Sequence, residues 1–99
     1  MKRGGAQGAS EIISRPTTIR NRRGLHARAA GKFVKLAGRF AAEISVIKGG
    51  QVVSGLSIMG LLMLAAGPNS EIVILAEGPE ARQAVDALCV LVENKFEED

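Results

Sequence analysis

Apolar positions recur at helical spacing between residues 27 and 39, and they predict an amphipathic helix there. Gly38 is expected to end this helix, since glycine is common just past helix C-termini. The apolar face comprises Ala30, Phe33, Val34 and Ala37, and a basic stripe of Arg28, Lys32, Lys35 and Arg39 lies opposite. The spacing of this stripe is equally compatible with a solvated helix face and with a surface that docks an acidic partner.

Four further segments have the pattern of β-strands. Residues 12–20 and 43–48 alternate between apolar and polar, and the Gly-Gly pair after the second predicts a tight hairpin into a return strand over residues 51–54. Pro16 suits an edge strand or a bulge, because proline cannot donate to a central ladder. Residues 71–76 are apolar on both faces, which predicts a central strand.

Two more helices complete the pattern. Ser57 is a natural N-cap for a short helix over residues 58–64. This helix is apolar nearly all round, so it is either buried on every side or exposed to a partner, with Leu61 and Leu64 the better core candidates. The last helix is expected to start near Pro79. Its predicted buried face comprises Ala81, Val85, Leu88 and Val92.

The element order β-α-β-β-α-β-α predicts an α+β fold with one sheet and the helices packed on one of its faces. The length of 99 residues suits a single domain, which we place at residues 11–99. Residues 1–10 are Gly-rich and without periodicity, so we expect a disordered tail. Glu97, Glu98 and Asp99 are expected to form a frayed acidic end.

Composition indicates a soluble cytoplasmic protein. The single cysteine, Cys89, has no partner for an intramolecular disulfide, which fits a reducing compartment. No apolar run reaches the length of a membrane span. Lys2 and Arg3 are not followed by the apolar segment of a signal peptide. We therefore expect neither export nor membrane insertion.

Charge is distributed unevenly along the chain, whose net charge is +3. Residues 1–40 hold ten of the thirteen Lys and Arg residues and one acid, Glu11. Such asymmetry indicates an acidic partner or an anionic ligand. Nucleic acid is an alternative that Arg20, Arg22 and Arg23 would serve, but the aromatic side chains needed for base stacking are missing, so we expect no nucleic-acid partner.

The only histidine lies in the segment Gly24-Leu25-His26-Ala27-Arg28, at the predicted start of the first helix. Unpaired N–H groups and the positive end of the helix dipole favour an anion at such a position. The Arg28 guanidinium suits a phosphoryl group, and a neutral imidazole can carry a covalent group. Together these features predict a phosphohistidine site on His26.

Other chemistries lack their parts. The sequence has no paired acids for general acid–base catalysis, no Ser-His-Asp set, no His/Cys cluster for a metal and no phosphate-binding P-loop. We therefore expect no cofactor and no metal. The chain is expected to act as a substrate and carrier for other enzymes, and not as an enzyme itself.

The segment around His26 resembles the active-site signature of the HPr family, the histidine phosphocarriers of the bacterial phosphotransferase system. A second segment, Ser57-Ile58-Met59-Gly60, is similar to the regulatory serine site of that family. The likeness covers residues 12–96. It implies an open-faced α/β sandwich with an antiparallel four-stranded sheet and three helices on one face.

The resemblance also implies roles and partners. His26 would accept a phosphoryl group on Nδ1 from phosphorylated enzyme I, with Arg28 as its anion-binding partner, and pass it to a histidine of an enzyme II A-type protein. Ser57 would be phosphorylated by HPr kinase/phosphorylase. A monomer is expected. The docking residues would be Lys32, Lys35, Ile58, Met59 and Leu62.

The chain departs from the family pattern at two positions, and two questions about its function stay open. The family usually has proline where this chain has Ala29, and asparagine or serine where it has Arg23. A regulatory binding module controlled by Ser57, with His26 idle, is the alternative function. Within the phosphocarrier hypothesis, the sequence does not distinguish sugar uptake from a nitrogen-related regulatory branch.

Overall fold

Four antiparallel strands form one sheet in the computed structural model, which describes residues 11–98. Their order across the sheet is β1-β4-β2-β3. Asp99 and the predicted disordered tail, residues 1–10, lie outside the described residues. The strands are β1 (Glu11–Thr18), β2 (Glu43–Lys48), β3 (Gln51–Ser54) and β4 (Glu71–Gly78).

Three helices pack on one face of this sheet and confirm the predicted architecture. They are α1 (Ala27–Ala37), α2 (Ile58–Met63) and α3 (Ala81–Glu93), and a short turn of 3-10 type (Lys95–Glu97) follows. Among the described residues, no helix has the length and apolar character that a bilayer crossing requires.

β4 is one of the two interior strands of the sheet, as its two apolar faces predict. It pairs with β1 on one side and with β2 on the other. Pro16 lies in β1, opposite Val73. An edge strand such as β1 tolerates a proline because it has a neighbouring strand on one side only. Alternate residues of β4 face the helices and are fully or almost fully buried, namely Ile72, Ile74 and Ala76.

The core lies between the sheet and the helices. The apolar face of α1 supplies Phe33 and the alanines beside it, and α2 supplies Leu61 and Leu64, which are the two core residues expected from that helix. Burial of these aliphatic and aromatic side chains, at roughly 25 cal/mol per Å² of apolar surface, fixes the helices on the sheet. The predicted buried face of α3 is confirmed at Ala81, Val85, Leu88 and Val92.

Several element ends differ from the prediction by one or two residues. β1 ends at Thr18 because Ile19 turns to the segment before β4, where its N–H donates to the Ser70 carbonyl and its own carbonyl accepts from the Asn69 N–H, both over 2.8 Å. Helix α1, in contrast, ends at Ala37 with Gly38 as its C-cap, which confirms the predicted end. Helix α2 ends at Met63, and β4 continues two residues further, to Gly78.

The segment after α3 contradicts the prediction of a frayed acidic end over its described part. Phe96 is completely buried, and the Lys32 ammonium donates to the Phe96 carbonyl over 2.7 Å. Glu98 is partly buried. The hydrophobic anchor at Phe96 outweighs the tendency of neighbouring acids to fray, and it brings the segment back across the start of α1.

Candidate functional site

His26 is the N-cap residue of α1. Its backbone is extended, with φ −85° and ψ −177°, and the Arg28 N–H donates to Nδ1 over 3.3 Å. This bond satisfies one of the N–H groups that a helix start leaves without a partner. The side chain of His26 is 22% exposed.

Gly24 shapes the turn that presents His26. Its φ of +67° lies in the left-handed region, and an added Cβ would stand 2.5 Å from the Ala66 carbonyl oxygen. The next residue, Leu25, is almost fully buried and donates its N–H to the same carbonyl over 2.8 Å. The turn is therefore held against the chain that follows α2.

Glu98 binds the other edge of the His26 ring. Its Oε2 lies 2.7 Å from Nε2, and its Oε1 accepts from Asn21 Nδ2 over 3.1 Å. Asn21 is completely buried and also donates from Nδ2 to the Gly24 carbonyl over 2.8 Å. Asn21 thus ties the turn before α1 to the segment after α3.

Sequence reasoning missed the contact of Glu98 with His26. The two residues are 72 positions apart, and no spacing rule joins them. The only available signal was the apolar Phe96 within an acidic segment, which indicates an anchored chain. Nothing in the sequence indicates that the side chain of Asn21 is buried.

The pKa of the Glu98 carboxyl reflects two opposing effects. Burial acts to raise it, whereas hydrogen bonds from Asn21 and His26, together with the charges of His26 and Lys32, lower it. The net result is a pKa below the ordinary value of 4.5. Glu98 is therefore a carboxylate at neutral pH.

Three arginines surround the site. A cleft of about 320 Å³ is lined by Arg22, Arg23, Arg28 and Glu98. None of the three guanidinium groups forms an ion pair with another residue of the described range 11–98. Their forked donors are therefore free to bind the oxygens of a tetrahedral anion.

Ser57 caps α2 as the sequence predicts. Its Oγ accepts a hydrogen bond from the Gly60 N–H over 2.9 Å, and the residue is half-buried. Gly60 fits closely against it, because an added Cβ would lie 3.1 Å from the Ser57 Oγ and 3.1 Å from the Val53 Cβ. Ser57 thus has a structural role that is independent of any modification.

Helix α2 has an exposed apolar side. Ile58 and Met59 are 42% and 70% exposed, whereas Leu62 is partly buried against the core. Sequence reasoning missed two further exposed residues of this surface, Leu56 and Met63. The exposed apolar surface of α2 is therefore formed by Leu56, Ile58, Met59 and Met63.

The two lysines singled out on the basic stripe differ in environment. Lys35 is exposed in the last turn of α1. Lys32 is half-buried. Its ammonium donates to the Phe96 carbonyl and also lies 3.9 Å from a carboxylate oxygen of Glu97. Part of the stripe therefore holds the segment after α3, and part faces solvent.

Metal and thiol chemistry find no support in the part of the chain that the structure describes. Within it, no three His, Cys, Asp or Glu side chains are grouped to hold a metal ion. Cys89 is buried, and burial raises the pKa of its thiol, which disfavours the reactive thiolate.

Comparisons with known proteins agree with this geometry. The family model described as the HPr component phosphorylation site of the phosphotransferase system matches residues 13–94. The chain is 44% identical to phosphocarrier protein HPr of Cupriavidus necator, over 88% of this chain and 98% of that protein. It is 46% identical to phosphocarrier protein NPr of Shewanella violacea, over 87% and 94%.

A solved structure gives the same result for the fold. The crystal structure of HPr-C-His from Thermoanaerobacter tengcongensis is similar to this chain with a TM-score of 0.84 and 37% identity. The match covers 88% of this chain and 98% of that one.

Proposed function

The chain belongs to the HPr family of phosphocarriers of the phosphotransferase system, and we propose that His26 is the residue that carries the phosphoryl group. The observation that supports this proposal is the position of Nδ1. It lies at the start of α1, where it accepts from the Arg28 N–H, and Arg28 lines a cleft together with Arg22 and Arg23. A nucleophilic nitrogen and free cationic donors thus occur together.

The proposed reaction is a direct transfer. The Nδ1 lone pair of His26 attacks the phosphorus held on phosphorylated enzyme I, the P–N bond forms, and the bond to the donor breaks with its electron pair leaving on the donor. Such a transfer depends mainly on positioning and charge stabilisation. Arg28 and the N–H groups of the first turn would hold the phosphoryl oxygens.

The same bond is broken when the acceptor is an enzyme II A-type protein. A histidine of that protein would attack the phosphorus, and Nδ1 of His26 would leave with its electron pair. Arginines of the cleft are exposed, and exposed hydrogen bonds bind an anion weakly enough to allow release. His26 therefore acts as an intermediate and not as a final acceptor.

We propose that enzyme I and the enzyme II A-type protein dock on the exposed apolar surface of α2. Ile58 and Met59 provide its centre, Leu62 supports it from below, and Lys35 with Lys32 provides a cationic edge. An apolar centre with a charged rim is typical of transient interfaces.

Ser57 is the proposed regulatory site, phosphorylated by HPr kinase/phosphorylase. It precedes Ile58 and Met59 directly, so a phosphate would add negative charge beside the docking surface. That charge would repel an acidic enzyme I. Ser57→Asp should slow phosphoryl transfer from enzyme I, whereas Ser14→Asp, at an exposed position of β1 on the opposite edge of the sheet, should not. Equal rates in the unaltered protein and the two variants would contradict this role.

The proposal includes the setting in which the protein works. We propose that it acts in the cytoplasm as a monomer, without a cofactor, and with no catalytic turnover of its own. Both HPr and NPr proteins are among its relatives, so the choice between sugar uptake and nitrogen-related regulation depends on which enzyme II A-type protein accepts the group.

A reconstituted relay tests the proposal. Labelled phosphoenolpyruvate, enzyme I and an enzyme II A-type protein are combined with this protein or a variant, and label on the acceptor is measured. His26→Ala should abolish transfer. Arg28→Ala should slow it on the order of a hundredfold, whereas Arg82→Ala, an exposed arginine of α3, should have little effect. Undiminished transfer by His26→Ala would contradict the proposal.

A further inference from the structure

We propose that Glu98 is a positioning residue that holds the His26 ring in its Nε2–H tautomer and so leaves Nδ1 as the nucleophile. This inference deepens the proposed function and rests on it wherever transfer is concerned. The contact on which it depends is the distance of 2.7 Å between Nε2 of His26 and Oε2 of Glu98.

The hydrogen-bond geometry assigns the proton. A carboxylate oxygen only accepts, so a ring nitrogen at 2.7 Å from it must carry the hydrogen. Nδ1 accepts from the Arg28 N–H on the other edge of the ring, and it must therefore hold a lone pair. In a neutral imidazole these two contacts specify the same tautomer.

Glu98 is itself held in place. Its second oxygen accepts from Nδ2 of Asn21, which is completely buried, and its side chain is only 17% exposed. A carboxylate that is already held at its other oxygen orients the imidazole more firmly than a mobile surface side chain, because less freedom is lost when the bond to the ring forms.

The backbone before Glu98 adopts an unusual conformation to reach this position. Lys95, Phe96 and Glu97 have φ of +60°, +53° and +64°, in the left-handed region that is unfavourable for L-residues. None of the three is a glycine. Complete burial of Phe96 and the bond from Lys32 to its carbonyl offset this cost. Backbone strain of this kind is concentrated at functional sites.

The chemistry explains why the tautomer matters. As Nδ1 attacks the phosphorus and the donor bond breaks, positive charge develops on the imidazole. The proton stays on Nε2, where the Glu98 carboxylate stabilises that charge, as a carboxylate does for a histidine in hydrolytic triads. When the group is passed on, Nδ1 regains its lone pair and the Nε2 proton has not moved.

The single histidine makes the test direct, because the imidazole nitrogen resonances of this protein all belong to His26. Long-range ¹H–¹⁵N correlation in the neutral form reports which nitrogen carries the proton, without any donor. The variants are Glu98→Ala and Glu98→Gln, the second of which keeps an acceptor but loses the charge. Glu97→Gln is the matched control, since its carboxylate is adjacent in the chain and does not contact His26.

The unaltered protein and Glu97→Gln should show the Nε2–H tautomer. Glu98→Ala should show a mixture of the Nε2–H and Nδ1–H tautomers, and Glu98→Gln should show a tautomer ratio between these two results. Transfer from enzyme I should slow by roughly 10–100-fold in Glu98→Ala, less in Glu98→Gln and little in Glu97→Gln. An unchanged tautomer ratio in Glu98→Ala would overturn the proposal, and so would an unchanged rate.

Two other outcomes would distinguish positioning by Glu98 from competition of its carboxylate with the phosphoryl group, and from failure of the proposed function. A faster transfer in Glu98→Ala would overturn positioning and show that the carboxylate competes with the phosphoryl group for the arginines of the cleft. Failure of the unaltered protein to accept phosphate would overturn the proposed function. The tautomer comparison, which needs no donor, would then still decide whether Glu98 orients the ring.

Discussion

Gly24 is the residue on which the presentation of His26 depends most. Its φ is +67°, and an added Cβ would lie 2.5 Å from the carbonyl oxygen of Ala66. Gly24→Ala should therefore lower the free energy of unfolding by about 2 kcal/mol or more. It should also slow phosphoryl transfer, because the turn that holds His26 must move. Urea denaturation and the reconstituted relay measure the two effects.

Gly31 provides the control for that substitution. It lies within α1, and an added Cβ would meet nothing within 4 Å. Gly31→Ala should therefore stabilise the protein by about 0.5–1 kcal/mol, since alanine is the better helix former. Equal effects of the two substitutions would show that the Gly24 turn is not strained by a side chain.

Glu98 gives the protein a specific dependence on pH. Because the folded state lowers the pKa of this carboxyl, its contribution to stability is present above the ordinary value of 4.5 and is lost as pH falls through the lowered value. The stability difference between the unaltered protein and Glu98→Gln should shrink as pH falls from about 6 to about 3. Urea midpoints at each pH measure it.

Glu97→Gln is the control for this pH series, because it removes a neighbouring carboxylate that does not contact His26. Its stability should follow that of the unaltered protein more closely than Glu98→Gln does. A Glu98→Gln variant that lost the same stability at every pH would contradict an ionised Glu98 in the folded state.

The departures at Ala29 and Arg23 find different explanations. Ala29 is completely buried in the first turn of α1, and the helix starts at Ala27 without a proline. Arg23 lines the cleft with Arg22 and Arg28. It adds a third cation to the site and so favours binding of an anion.

Among the elements, α2 carries the docking prediction. Met59 is 70% exposed on it, and Met59→Glu would place a like charge against an acidic partner. We expect KM for transfer from enzyme I to rise about tenfold, with kcat changed little because His26 is untouched. Steady-state kinetics with varied concentration of this protein measure both constants.

Val90 is the matched control for Met59. It is an exposed apolar residue of similar character, at 55% exposure, but lies on α3. Val90→Glu should leave KM unchanged. If Val90→Glu raised KM as much as Met59→Glu, net charge and not the surface of α2 would control association.

Local patterns were sufficient for the elements but not for the whole site. The strands β2 and β3 have the bounds that alternation predicts, and α1 starts at the predicted residue. These features depend on neighbours in the chain. The turn at Lys95–Glu97 could not be predicted, because residues that disfavour positive φ adopt it only when Phe96 is buried in the core.

For the molecule as a whole, long-range contacts assemble the site. The segment between α2 and β4 pairs with Ile19 and also holds the Gly24 turn, and the segment after α3 returns to His26. Two distant parts of the chain thus meet at the start of α1. The sequence reveals His26 and Arg28 through one local motif, whereas Glu98 enters only through this long-range assembly.

The charge distribution also acts at this scale. Basic residues are concentrated in the first 40 positions, and the structure places Arg22, Arg23 and Arg28 around the cleft beside His26. One region of the surface therefore concentrates the positive charge that the proposed acidic partner and phosphoryl group would require.

Labelling with radioactive phosphoenolpyruvate shows whether His26 carries the phosphoryl group. The protein is incubated with enzyme I and labelled phosphoenolpyruvate, and the product is then treated with acid and mapped by peptide. We predict one acid-labile label, located on the peptide that contains His26. A protein that stays folded with an active donor and takes no label, or that carries acid-stable label elsewhere, would contradict the account.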